Sequence, residues 1–160
     1  MVVDESPASK RAVTYVAKIV GRQRNLRICL AHMLPRLPSR SIEFRGVANS
    51  QTEQRLDARL EHHQQRWRAG ATKKAQRALG MATATLRRGG VPAKALDIRS
   101  SEAVEGLGAA ERVLELARAR RCDTVVVGRE SVSWFRELMR DNLAEELVRR
   151  GKGYTIWVVE

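Results

Sequence analysis

The residues whose type and spacing bear on chemistry gather around Gly128. An apolar, β-branched run, Thr124-Val125-Val126-Val127, stops at that glycine, and an amphipathic helix begins near Asn142 with Leu143, Ala144, Leu147 and Val148 on one side. A strand without polar alternation is covered on both faces, as in a parallel sheet, and such sheets bind their ligands just past the carboxyl ends of the strands. A ligand is therefore expected near Gly128. Catalysis is not: no nucleophile, base and orienting acid recur at a recognisable spacing, and no motif sets paired carboxylates on facing strand ends. The three histidines assemble no metal site, because His62 and His63 are adjacent and point about 100° apart on a helix. Cys29 and Cys122 lie in or beside apolar runs without a C-x-x-C motif, and read as small buried thiols in a reducing compartment.

The elements that must hold this point can be read along the chain. Residues 1–3 offer three apolar positions before Asp4, short for a central strand of about five to six residues, so either the strand is unusually short or the true start lies upstream. Ser6 and Pro7 then form a helix start, with Ser6 as the cap and Pro7 at the first helical position. Ala12, Val13, Val16 and Val20 supply the buried stripe and Gly21 the stop. A second strand is expected over 26–34, an exposed loop over 36–49, and one long helix over 51–88, interrupted in pattern at Gly70 and Gly80. Leu56, Leu60, His63 and Trp67 share one side of it, followed by a stripe of Ala75, Leu79, Ala82 and Leu86. The spacing predicts a third strand over 91–98, a loop over 100–108, a helix carried by Ala110, Val113, Leu114 and Ala117, and a last strand over 154–159. Alternating strands and helices in this order predict an α/β fold, a doubly wound parallel sheet with right-handed crossovers.

Three short stretches resemble the universal stress protein family. Val2-Val3-Asp4-Glu5-Ser6 is similar to the family's strand-end "VDxS", Leu30-Ala31-His32-Met33 to its "L-x-H-V", and Val125-Val126-Val127-Gly128 with the helix and strand after it to its closing third. The resemblance spans nearly the whole chain and implies one domain over 1–160. It also implies a five-stranded sheet of order 3-2-1-4-5 in a three-layer sandwich like that of adenine nucleotide alpha hydrolases. Nucleotide-binding members carry G-x2-G-x9-G-[S/T], whose glycines let backbone amides approach phosphates at a helix start. Laid on this chain, the motif keeps Gly128, but its second glycine falls on Ser131, its third on Asp141 and its hydroxyl residue on Asn142. Asp141 puts a carboxylate where the resemblance places phosphate. At about 5 Å and an effective dielectric near 20, one such pair repels by roughly 3 kcal/mol, on the order of a hundredfold in affinity. Mg²⁺, Arg129, Arg136 or Arg140 would offset part of this. Asn142 with Glu145 also forms a capping box that starts a helix with no ligand, and Asp4 either accepts a hydrogen bond from adenine or ribose or only caps the first helix.

Three functional expectations follow. The first is a stress-response homodimer that acts through an unknown protein partner, with a degraded nucleotide site, no cofactor and no catalysis. The second is that ATP with Mg²⁺ still binds through Val3, Asp4, Met33, Gly128, Arg129, Ser131 and Asn142, with Val3 and Met33 flanking the base. The third is an arginine-rich module for nucleic acid or another polyanion. The last strand, apolar and without lysine or proline, is an edge that invites a partner, and the family resemblance implies an isologous dimer through Tyr154, Ile156, Trp157 and Val158. The net charge of +12 suits the third expectation. Twenty-four of the thirty basic residues are arginine, scattered in doublets such as Arg87-Arg88, Arg120-Arg121 and Arg149-Arg150, and no aromatic-rich strand or zinc finger accompanies them. No apolar run is long enough to span a membrane and the N-terminus lacks a secretory profile, so a cytoplasmic location is expected.

Overall fold

The computed structural model describes residues 1–21, 23, 25–34, 50–101, 107–129 and 143–160, with the side chains of the longest helix described from Arg59 onward. Helix α1 (Pro7–Val20) starts as its sequence requires: the Ser6 hydroxyl accepts from the Ser9 amide at 3.0 Å and Pro7 occupies the first helical position. Strand β1 (Ile28–Met33) follows, then helix α2 (Ser50–Arg88), which runs for 39 residues through Gly70 and Gly80. A single 3₁₀ turn (Ala93–Ala95) leads into strand β2 (Leu96–Ser101). Helix α3 (Ala109–Ala119), strand β3 (Thr124–Gly128), helix α4 (Leu143–Arg150) and strand β4 (Thr155–Val159) complete the order.

All strand pairs are parallel, and they form two two-stranded sheets, β1 with β2 and β3 with β4. The expected first strand is reduced to a single bridge between Val2 and Ala31. In place of the expected five-stranded sheet of order 3-2-1-4-5, the described residues form two strand pairs and a short splice at residues 1–3. That splice is bonded on both sides: Val3 N–H donates to Ala31 O and Ala31 N–H to Met1 O, while Val2 N–H donates to Val126 O, each at 2.9 Å. The third strand also lies further on than its apolar run suggested. Residues 91–95 turn, and the ladder pairs Ile28 with Leu96 through to Met33 with Ser101, so Ser100 and Ser101 extend a strand where a loop was expected.

Helices cover both faces. Beneath α1 and α2 lies a core of Val3, Val13, Val16, Leu30, Leu79, Leu86 and Val126, all buried. Beneath α3 and α4 lies a second, with Met33, Val113, Val125, Val127 and Leu147. On α2 the buried positions are Ala75, Ala78, Leu79, Ala82 and Leu86, whereas Leu60 and Trp67 are half-buried and His63 is exposed. The cysteines expected to be buried are only half so. An ion-pair chain ties the second helical layer together: Glu146 accepts from Arg149 and Arg150, and Arg150 reaches Glu111 of α3 at 2.5 Å. No described helix is long and apolar enough to cross a membrane.

The two helices of the first layer meet at their C-terminal ends with no room for side chains. A Cβ on Gly21 would stand 1.8 Å from the carbonyl oxygen of Gly89, and Gly90, at φ +98°, turns the chain away beside the Gly21 carbonyl. Because the obstacle is backbone, it cannot rotate aside. Gly21→Ala is expected to lower stability by about 3 kcal/mol, as overpacking of a tight contact does. Urea unfolding measures this, and an unchanged midpoint would show that the helices part freely.

Candidate functional site

The sequence-predicted site residues within the described part converge on the carboxyl edge of the parallel strands. Asp4 follows the splice, Met33 closes β1, Gly128 closes β3, and the Arg129 amide donates to Val159 O at 2.7 Å just beyond. Ser131, Asp141 and Asn142, with Arg136 and Arg140, lie outside the described residues.

Asp4 is engaged by the fold. Its carboxylate Oδ1 accepts from the Ser6 amide at 2.9 Å, and its own amide donates to the Ser9 hydroxyl at 2.9 Å. With the Ser6 hydroxyl accepting from Ser9 N, the three side chains close a ring that fixes the turn from strand to helix. The capping role of Asp4 is thus the one observed. Ser9, which sequence reading missed, completes the ring; its signal is the spacing Asp4, Ser6, Ser9 around a Pro at the first helical position.

Gly128 is equally committed. A Cβ there would lie 2.5 Å from both C and O of Ala8 and 2.7 Å from the Ser9 amide nitrogen. The start of α1 sits against the end of β3 so closely that only glycine fits, whether or not a phosphate approaches.

Val3 and Met33 are both buried, at 2% and 5% exposure, and belong to different cores, Val3 under the α1–α2 layer and Met33 under the α3–α4 layer. They lie on opposite faces of the strands, because successive side chains alternate. His32, also buried, faces the Val3 carbonyl through Nδ1 at 2.8 Å. A carbonyl only accepts, so Nδ1 carries the proton and the imidazole pins the end of the splice to β1.

Arg129 is exposed and pairs with Glu160 at 3.3 Å. It lines an open groove of about 340 Å³ with Ala144, Glu145, Val148, Arg149 and Val158. Sequence reading also missed Arg112, buried in α3, whose Nη1 donates to Leu34 O at 3.2 Å beyond β1; the apolar stripe of that helix gave no sign of it. Burial depresses the Met1 ammonium, which donates to Cys29 O at 2.8 Å, and burial pushes the Cys29 thiol up, favouring the uncharged form of each. Among the described residues no group of His, Cys, Asp and Glu is placed to hold a metal ion.

The chain matches the model of the universal stress protein family over residues 1–153. It belongs to that family. A search of curated proteins finds no match. Among solved structures, a universal stress family protein from Burkholderia pseudomallei is 18% identical, with a TM-score of 0.59 over 99% of this chain and 91% of that one. A universal stress protein solved with cAMP is 17% identical, with a TM-score of 0.60 over 100% and 93%. One from Archaeoglobus fulgidus, solved with dAMP, is 15% identical, with a TM-score of 0.56 over 99% and 94%. At such identities the likeness is one of fold, a universal stress protein α/β fold with parallel strands.

The geometry gives Gly128 a role that needs no ligand. Gly128→Ala is expected to lower stability by about 2–3 kcal/mol, because the added methyl must displace the backbone of α1. Thermal unfolding without nucleotide measures it, and a variant as stable as the parent would return the glycine to ligand binding alone.

Proposed function

We propose that this universal stress protein family member is a non-catalytic, cytoplasmic stress-response protein that works as a homodimer through protein contacts, its nucleotide site degraded. One observation carries this reading: Asp4 Oδ1 accepts from the Ser6 amide and Gly128 leaves no room for a Cβ against Ala8 and Ser9, so both serve the packing of α1 against the strands. What a phosphate cradle needs besides is flexible backbone and freedom from negative charge, and the sequence instead supplies Ser131 and Asp141 at the motif's glycine positions. The proposal includes one domain over 1–160 and a continuous sheet of order 3-2-1-4-5, with residues 1–3 as its short middle strand. Their hydrogen bonds to both strand pairs support that order.

The dimer rests on β4. It is bonded along one edge to β3, and Tyr154, Ile156, Trp157 and Val158 are half-buried on its own core, Trp157 edge-on to Tyr15 with ring centroids 6.2 Å apart. These side chains anchor the strand, and the backbone of its far edge is the part offered to a second copy.

A second reading keeps a nucleotide in the cleft. It is favoured by the relatives solved with cAMP and dAMP, since one phosphate needs fewer amide donors than three. Isothermal calorimetry separates the two readings. The first expects ATP with Mg²⁺, AMP and cAMP all to bind more weakly than about 1 mM, whereas a Kd near 10 μM for any of them, about 2.7 kcal/mol tighter, establishes the second. Light scattering at micromolar concentration is expected to give twice the chain mass, and a monomer mass there would remove the β4 dimer.

A further inference from the structure

The positive charge is scattered along the sequence, but the fold sorts it. In the first helical layer α1 carries three basic residues and no acidic one, and α2 carries nine basic and three acidic. In the second layer α3 and α4 each carry two of either sign. Nine of the net twelve positive charges therefore ride on one face of the sandwich and none on the helices of the other.

Within that face the charge is ordered. Arg59, Arg66, Lys73 and Arg77 are spaced seven, seven and four residues apart, which places them on one side of a helix. This side is opposite the buried positions Ala75, Ala78, Ala82 and Leu86. All four are exposed and form no ion pair with another described residue, whereas Arg149 and Arg150 of the opposite layer are paired. From residue 62 to residue 96 the sequence holds no acid at all. Lysine and arginine four apart on one helix face repel, so the free protein holds this arrangement at a cost that a polyanion would relieve.

We infer that the outer face of α2 docks the phosphate backbone of a nucleic-acid duplex without regard to sequence. From Arg59 to Arg77 the stripe extends about 27 Å along the helix, the length of about eight base pairs, so it can lie along a row of phosphates. Arginine predominates in it, and the guanidinium fork matches phosphate oxygens. A single strand is a poorer fit, because stacking platforms are missing: the aromatic side chains of the two helices are Tyr15, set against Trp157, and Trp67, half-buried on the inner stripe.

Fluorescence anisotropy of the full chain with a labelled duplex of about 20 base pairs tests this. With about five phosphates neutralised, the slope of log K against log salt should be near −4.5. Substituting Arg59→Gln, Arg66→Gln, Lys73→Gln and Arg77→Gln together should flatten that slope by about four and weaken binding at least 30-fold at about 50 mM salt. Circular dichroism should show the variant folded, its melting temperature unchanged or raised. An equal loss of charge elsewhere, by Arg118→Gln, Arg121→Gln, Arg149→Gln and Lys152→Gln, should leave the affinity within about threefold. Three results would overturn the inference: no saturable binding at about 50 mM salt, equal losses from the two sets of substitutions, or competition by polyglutamate as effective, charge for charge, as unlabelled duplex.

Discussion

Residues 1–3 are the joint on which this structure depends. Two parallel strand pairs would otherwise share no hydrogen bond among the described residues, and three short amides connect them: Val3 to Ala31, Ala31 to Met1, and Val2 to Val126. The joint is short, so it is reinforced from outside the ladder, by the His32 imidazole on the Val3 carbonyl and by the Asp4–Ser6–Ser9 ring. Both reinforcements are buried or half-buried, where an unmade hydrogen bond costs about 1–3 kcal/mol. The family-like "VDxS" and "L-x-H-V" stretches are thus the two halves of one connection, although they lie far apart in sequence.

The same joint accounts for the state of the candidate site. Drawing α1 down onto the end of β3 brings Ala8 and Ser9 against Gly128, and the Asp4 carboxylate turns inward to hold the helix start. On the first layer the same economy of space recurs at Gly21 and Gly89, where two helix ends meet with no room for a side chain on either glycine.

How much of this was legible in the sequence depended on the range of the interaction. Local signals were read well: Ser6 and Pro7 start α1, Gly21 stops it, and the run Thr124 to Val127 is a strand, because capping, glycine stops and β-branched runs act within a few residues. The third strand was displaced, since its position is set by register with Ile28 to Met33 and not by the apolarity of residues 91–95. Val3 and Met33 were placed together by adjacency to one edge, but pleat alternation sends them to opposite cores. The charge misled most. Doublets of arginine look scattered along the chain, whereas the spacing of Arg59, Arg66, Lys73 and Arg77 is a pattern within α2, and what the fold adds is that this side of the helix is left exposed.

The length of α2 brings a further consequence. From Ala75 to Leu86 it is anchored in the core, but from Arg59 to Lys74 no side chain is fully buried, and Leu60, Gln64, Trp67 and Ala71 are only partly covered. Local stability follows buried contact, so one continuous helix contains two regimes. Amide exchange is therefore expected to be slower from Ala75 to Leu86 than from Arg59 to Lys74, which would make the outer stretch of the helix an adjustable arm on a fixed shoulder.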